Sequence, residues 1–114
     1  MGRLRRGYRQ MFASEISEEE LDWMVAETKG NTPDQSVTLG TDYRAQDWRP
    51  LLPSIGLPVL IITGRQSGAY PGCLYIAETI PNARLVTCEQ SGHAPFYDEP
   101  EKFNATIAEF VDNA

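Results

Sequence analysis

The chain contains one histidine, His93, and its setting is the most chemically specific stretch of the sequence. It lies in Ser91-Gly-His-Ala-Pro-Phe-Tyr-Asp-Glu-Pro-Glu-Lys-Phe103, after a short apolar run and before a segment opened by Glu99-Pro100. Imidazole changes charge near neutral pH, so a lone histidine in such a loop suits general-base work. Gly92 gives the backbone freedom to turn that side chain toward a cleft. A surface loop histidine without a task fits the same position, and position alone leaves both readings open. A metal cluster is not expected: one histidine with Cys73 and Cys88 makes neither a zinc site nor a disulfide framework. The two cysteines read as free thiols in a reducing, cytoplasmic setting, and no cofactor is expected.

The elements that must position His93 change character along the chain. The first half reads as helical. Ser17 and Glu20 form a capping box, with Ile16 and Leu21 as a hydrophobic staple, so a helix starts there and stops near Gly30. Thr32, Pro33 and Gln35 repeat the pattern for a helix running to about Arg44. A weaker helix covers roughly Leu4 to Phe12, interrupted by Gly7. From Pro50 onward the pattern is strand, helix, strand, helix. Leu57–Thr63 is a continuous apolar, β-branched run that predicts a strand buried on both faces. Pro71–Ile80 reads as a helix with Leu74, Ala77 and Ile80 inward, and Ala83–Cys88 as a second strand. Pro100 opens a last helix whose Phe103, Ile107, Phe110 and Val111 form an inward stripe. Asp98 is expected to cap that helix and Glu99 to favour its N-terminal dipole. A strand–helix–strand unit of this length implies two parallel strands with a right-handed crossover. A loop at the carboxyl end of such a strand is where open α/β sheets place reactive groups, and His93 falls there.

Composition narrows the function classes. Of 114 residues, 41% are hydrophobic and 23% charged, which fits one globular unit. A net charge of −6 argues against a nucleic-acid partner, whose binders carry a basic patch. Arg3, Arg5 and Arg6 are too sparse for a polybasic tail and read as a solvated helix face. No apolar run approaches the ~20 residues that span a membrane, and the start lacks the apolar core of a signal peptide.

Taken in order, Leu57-Pro-Val-Leu-Ile-Ile-Thr-Gly64, Ile80-Pro-Asn-Ala-Arg-Leu-Val86 and Gly92-His-Ala-Pro-Phe-Tyr-Asp-Glu-Pro-Glu-Lys-Phe-Asn104 resemble the last third of an α/β-hydrolase. The pattern is nearest to the esterase, non-haem haloperoxidase and C–C hydrolase group. Gln46 to Ile55 also resembles the stretch that leads those proteins from cap to sheet. The resemblance implies a partial α/β-hydrolase fold. Residues 1–48 would be a cap-like helical segment and residues 49–114 a C-terminal β-α-β-α unit holding strands seven and eight.

The same resemblance makes His93 the catalytic base, taking a proton from a nucleophilic serine and returning it to the leaving group. It places the partner acid at Ser67, in the frame Gly64-Arg-Gln-Ser67 with Pro71 following. A hydroxyl cannot supply the carboxylate that orients the imidazole, and losing that group costs ~10⁴ in turnover. Asp47 is a substitute acid candidate, or a loop residue in local contact with Arg49. No Gly-x-Ser-x-Gly elbow occurs, and serines 14, 17, 36, 54, 67 and 91 all lack its context. The expectation is a hydrolase part without its N-terminal core, inactive alone in ester hydrolysis. The alternative is a non-catalytic binding or interaction module derived from a hydrolase, holding a small apolar ligand or a partner chain. Open strand edges and uncovered helix stripes predict a homo-oligomer, most simply a dimer with Trp23, Met24 and Val25 between subunits, or pairing with a complementary hydrolase chain.

Overall fold

A computed structural model describes residues 2–114. Helix α1 spans Gly2–Arg9, α2 Glu18–Glu27 and α3 Pro33–Ala45. Single 3₁₀ segments at Thr28–Gly30 and Arg49–Ser54 follow α2 and α3. Strand β1 (Val59–Gly64), helix α4 (Tyr70–Thr79), strand β2 (Ala83–Cys88), a short α5 (Pro95–Asp98) and α6 (Pro100–Asp112) complete the chain.

Both capping boxes form. Ser17 Oγ accepts from the Glu20 amide while Glu20 Oε2 accepts from the Ser17 amide at 3.0 Å. Thr32 and Gln35 exchange the same pair of bonds at 3.2 and 2.9 Å. Reciprocal capping satisfies donors that the first helical turn cannot satisfy internally. Helix α1 ends before the expected limit, which leaves Met11 and Phe12 in irregular backbone. Arg5 is not simply solvated. It pairs with Glu18 and Asp22, and Arg9 also pairs with Glu18, so α1 is strapped to α2.

Strands β1 and β2 run parallel, from Val59 opposite Ala83 to Gly64 opposite Cys88. The expectation of strands buried on both faces is only partly met. Residues 59–62 of β1 are half-buried, and full burial begins at Thr63 and Gly64. Two strands make a ladder with an open edge on each side, so the outer parts of both stay near solvent. The stripe on α6 is likewise incomplete. Phe103 and Phe110 are half-buried, Thr106 is buried, and Ile107 and Val111 face solvent. Arg84 to Glu109 (3.0 Å) and Lys102 Nζ to the Thr87 carbonyl (2.7 Å) tie α6 to β2.

The core is small and in two parts. Ile16, Leu21 and Val25 pack in the helical half, and Ile80, Cys88 and Ala94 around the sheet. Val25, expected at a contact between subunits, is spent in the chain's own core, whereas Trp23 is 62% exposed. The accessible surface is 8233 Å², against about 6,300 Å² for a compact monomer of this mass. The radius of gyration is 16.4 Å, against about 13 Å for a compact domain of this length. Among the described residues, no helix is long and apolar enough to cross a membrane.

Candidate functional site

Gly64 ends β1 against the loop that follows β2. A Cβ there would overlap the carbonyl oxygens of Gly92 and Ser91, so only glycine allows this approach. The two loops are then stitched together. The Arg65 amide donates to the Cys88 carbonyl at 2.9 Å, and the Gln66 amide to the Ser91 carbonyl at 3.0 Å. Arg65 also forks onto Glu89 at 2.9 and 2.8 Å and lies over the Tyr70 ring. A turn closed by the Ser67 amide on the Gly64 carbonyl (3.1 Å) brings Ser67 round to His93. Ser67 Oγ stands 3.1 Å from His93 Nδ1 and accepts from the Ala69 amide at 3.1 Å.

The His93 backbone is held from the helical half. Its amide donates to the Met11 carbonyl at 2.7 Å. Gly92 presses on the same strap: a Cβ there would sit 2.8 Å from the Met11 carbonyl oxygen and 3.0 Å from the Ala13 nitrogen. Asp98 does not cap α6 as expected. Its carboxylate accepts from the amides of Ala13 (2.9 Å), Ser14 (2.8 Å) and Gly92 (2.8 Å). Burial raises the Asp98 pKa, but these donors outweigh it and hold the group below the usual aspartate value. Glu99 also turns back, accepting from the Gln90 amide (3.0 Å) and from buried Ser91 Oγ (2.5 Å). Proline at the first turn of α6 leaves fewer amides to cap, and the Glu99 backbone (φ −136°, ψ 63°) is outside the helical region. Both acids are therefore free to organise the loop.

Glu20 does double duty. Beyond its capping box, Oε1 accepts from the Tyr97 hydroxyl at 2.9 Å, and Phe12 meets the Tyr97 ring edge-on at 4.7 Å. These ties span 77 to 85 residues and were not foreseen from sequence. The spare acid at position 98, two residues before a helix that opens with proline, was the available hint.

The candidate residues separate into two places. Ser67 and His93 are in contact, with the imidazole exposed. Asp47 is bound to Arg49, accepting from Nε (2.8 Å), Nη2 (2.7 Å) and the amide (3.1 Å). Those bonds lower its pKa to about 2. Cys73 and Cys88 are free thiols, and burial pushes the Cys88 thiol up. Among the described residues no group of three or more His, Cys, Asp or Glu side chains is placed to hold a metal ion.

No family model matches the chain. It is 31% identical over 107 residues to the AB hydrolase superfamily protein YisY of Bacillus subtilis, covering 92% of this chain and 40% of that protein. It is 31% identical over 99 residues to a pimeloyl-[acyl-carrier protein] methyl ester esterase of Nitrosomonas europaea, covering 82% of this chain and 39% of that one. Among solved structures it is similar to an esterase from Exiguobacterium antarcticum, with a TM-score of 0.85 and 28% identity over 95% of this chain and 41% of the esterase. The chain spans about two fifths of the length of these proteins. The residue pattern, the parallel β-α-β-α unit and these likenesses agree: the chain belongs with the α/β-hydrolases and corresponds to a C-terminal part of their fold.

Proposed function

We propose that the chain is a hydrolase unit that keeps a formed histidine loop but does not carry, in its own 114 residues, the groups needed to use it. The observation behind this is the environment of the ring. Among the described residues its one hydrogen-bond partner is the Ser67 hydroxyl, at Nδ1, and neither a carboxylate nor a second hydroxyl is bonded to the ring. A base in acyl transfer needs both a hydroxyl to deprotonate and an acid to hold it. On this reading His93 is the base, and the nucleophile and oxyanion donors come from hydrolase core outside these residues, on the same polypeptide or another. The substrate class is a small ester, by similarity to the esterases above. Asp47 stays outside the catalytic set, because Arg49 already occupies both its oxygens.

The surface supports an external partner. The excess over a compact monomer is roughly 1,900 Å², while a standard interface takes about 800 Å² from each partner. Leu57, Val111, Leu39 and Tyr43 are all more than half exposed. A complementary hydrolase core would cover the sheet edge and the outer stripe of α6, and in the purified chain alone a second copy would take its place.

A second reading, a binding module without catalysis, is favoured by one feature. Met11, Phe12, Trp23, Met24 and Phe96 line an open apolar trough beside the histidine loop. It would suit a small apolar ligand or the acyl part of an ester.

The test is reconstitution. The chain is combined with the N-terminal portion of the Exiguobacterium esterase, and p-nitrophenyl ester cleavage is followed. A rate that disappears in His93→Gln and survives Asp47→Asn supports the enzyme reading. A formed complex with no His93-dependent rate counts against it and leaves the binding module.

A further inference from the structure

The hydroxyl beside His93 differs from a carboxylate in a way that reaches the other side of the ring. We infer that Ser67 is a positioning residue that donates its proton to His93 Nδ1 and so sets the neutral imidazole in the Nε2–H form. The inference deepens the reading of this site and rests on His93 being its functional histidine. Ser67 Oγ accepts from the Ala69 amide at 3.1 Å, which takes one of its two lone pairs and leaves the hydroxyl proton free to donate. The protein acceptor within reach, among the described residues, is Nδ1 at 3.1 Å. A serine has one proton to give, and giving it to Nδ1 makes that nitrogen the acceptor. The remaining ring proton then sits on Nε2, since the bond made by one ring nitrogen decides the state of the other.

The chemical consequence is direct. A carboxylate in the same place is acceptor-only and would draw the ring proton to Nδ1, leaving a lone pair on Nε2. With Ser67, Nε2 offers an N–H to the open side. In that state Nε2 donates a hydrogen bond to a carbonyl or carboxylate oxygen, and His93 takes a proton from an incoming hydroxyl only after its ring proton has moved to Nδ1 and the Ser67 hydroxyl has turned to accept from it. The ring is exposed and its loop is held at the Met11 carbonyl and by Asp98, so its orientation does not depend on Ser67 alone. Position 67 sets the tautomer and the loop sets the place.

Because the chain has a single histidine, nitrogen-15 correlation spectra of the 114-residue protein read its tautomer without assignment. The measurement is made above the titration range of the ring, on wild type, Ser67→Ala and Ser67→Asp. The expected result is Nε2–H in wild type by at least tenfold, a mixture within a few-fold of even in Ser67→Ala, and Nδ1–H in Ser67→Asp. A wild-type ring in the Nδ1–H form overturns the inference. So does a tautomer ratio that is the same in all three proteins. Circular dichroism checks that each variant is folded, and the wild-type result decides the matter even where a variant is not. The spectra need no catalysis, so a failed reconstitution leaves this inference standing, and a failed tautomer test leaves the hydrolase reading standing.

Discussion

The histidine loop and helix α3 are opposite kinds of structure in one chain. Between Cys88 and Glu99 the backbone is bonded to the turn that follows β1, to the strap at Met11–Ser14 and to two carboxylates. Helix α3 has a complete capping box, yet all its residues but Gly40 are exposed, including Val37, Leu39 and Tyr43. The loop is determined by contacts within the chain. The helix has only its local signals, and an isolated helix of 13 residues is marginal in water. The comparison teaches that this polypeptide supplies the contacts for its site but not those for its outer surface.

The largest expected effect attacks the loop at its tightest point. Gly64→Ala forces the end of β1 away from Gly92 and should cost about 3 kcal/mol or more, read as a fall in the denaturation midpoint. Next is Asp98→Ala, which removes the acceptor of three backbone amides, that of buried Gly92 among them, and should cost about 2 kcal/mol. The same carboxylate gives a pH signature. Its folded pKa lies below its unfolded value near 3.8, so its contribution is complete above that value. It is lost as pH falls through the lower folded pKa, and Asp98→Asn should flatten that part of an acid-unfolding curve. Glu99→Gln should cost less, about 1–2 kcal/mol, since the amide can still accept from the Gln90 N–H while the short bond from Ser91 weakens. The smallest effect belongs to α3. The pair Leu39→Ser and Tyr43→Ser should change chain stability by less than about 0.5 kcal/mol. If it shifts the stability of the dissociated chain as much as Asp98→Ala, α3 is packed within the chain and the contrast between the two regions is wrong.

Much of this was legible in the sequence, for reasons that differ by element. Ser17–Glu20 and Thr32–Gln35 are local signals, so both helix starts could be read directly. The β-branched run before Gly64 and the Ala83–Cys88 run gave the parallel pair, and the ordered motifs gave the fold. The frame that put Ser67 in the acid position also foretold its nearness to His93. What escaped were contacts made across the fold: Asp98 on Ala13 and Ser14, and Tyr97 on Glu20. No periodicity encodes a bond between residues that far apart. The burial expected of β1 and α6 was only partly met, for another reason. Apolar patterning states what a segment is suited to bury, and here Ile107, Val111 and Leu57 lack a surface to be buried against.

The most direct test of that incompleteness is sedimentation of the purified chain at micromolar concentration, paired with thermal unfolding at each dilution. The account predicts mass above one chain, and a midpoint that falls as the assembly dissociates. A single-chain species that unfolds cooperatively at a concentration-independent midpoint would contradict it.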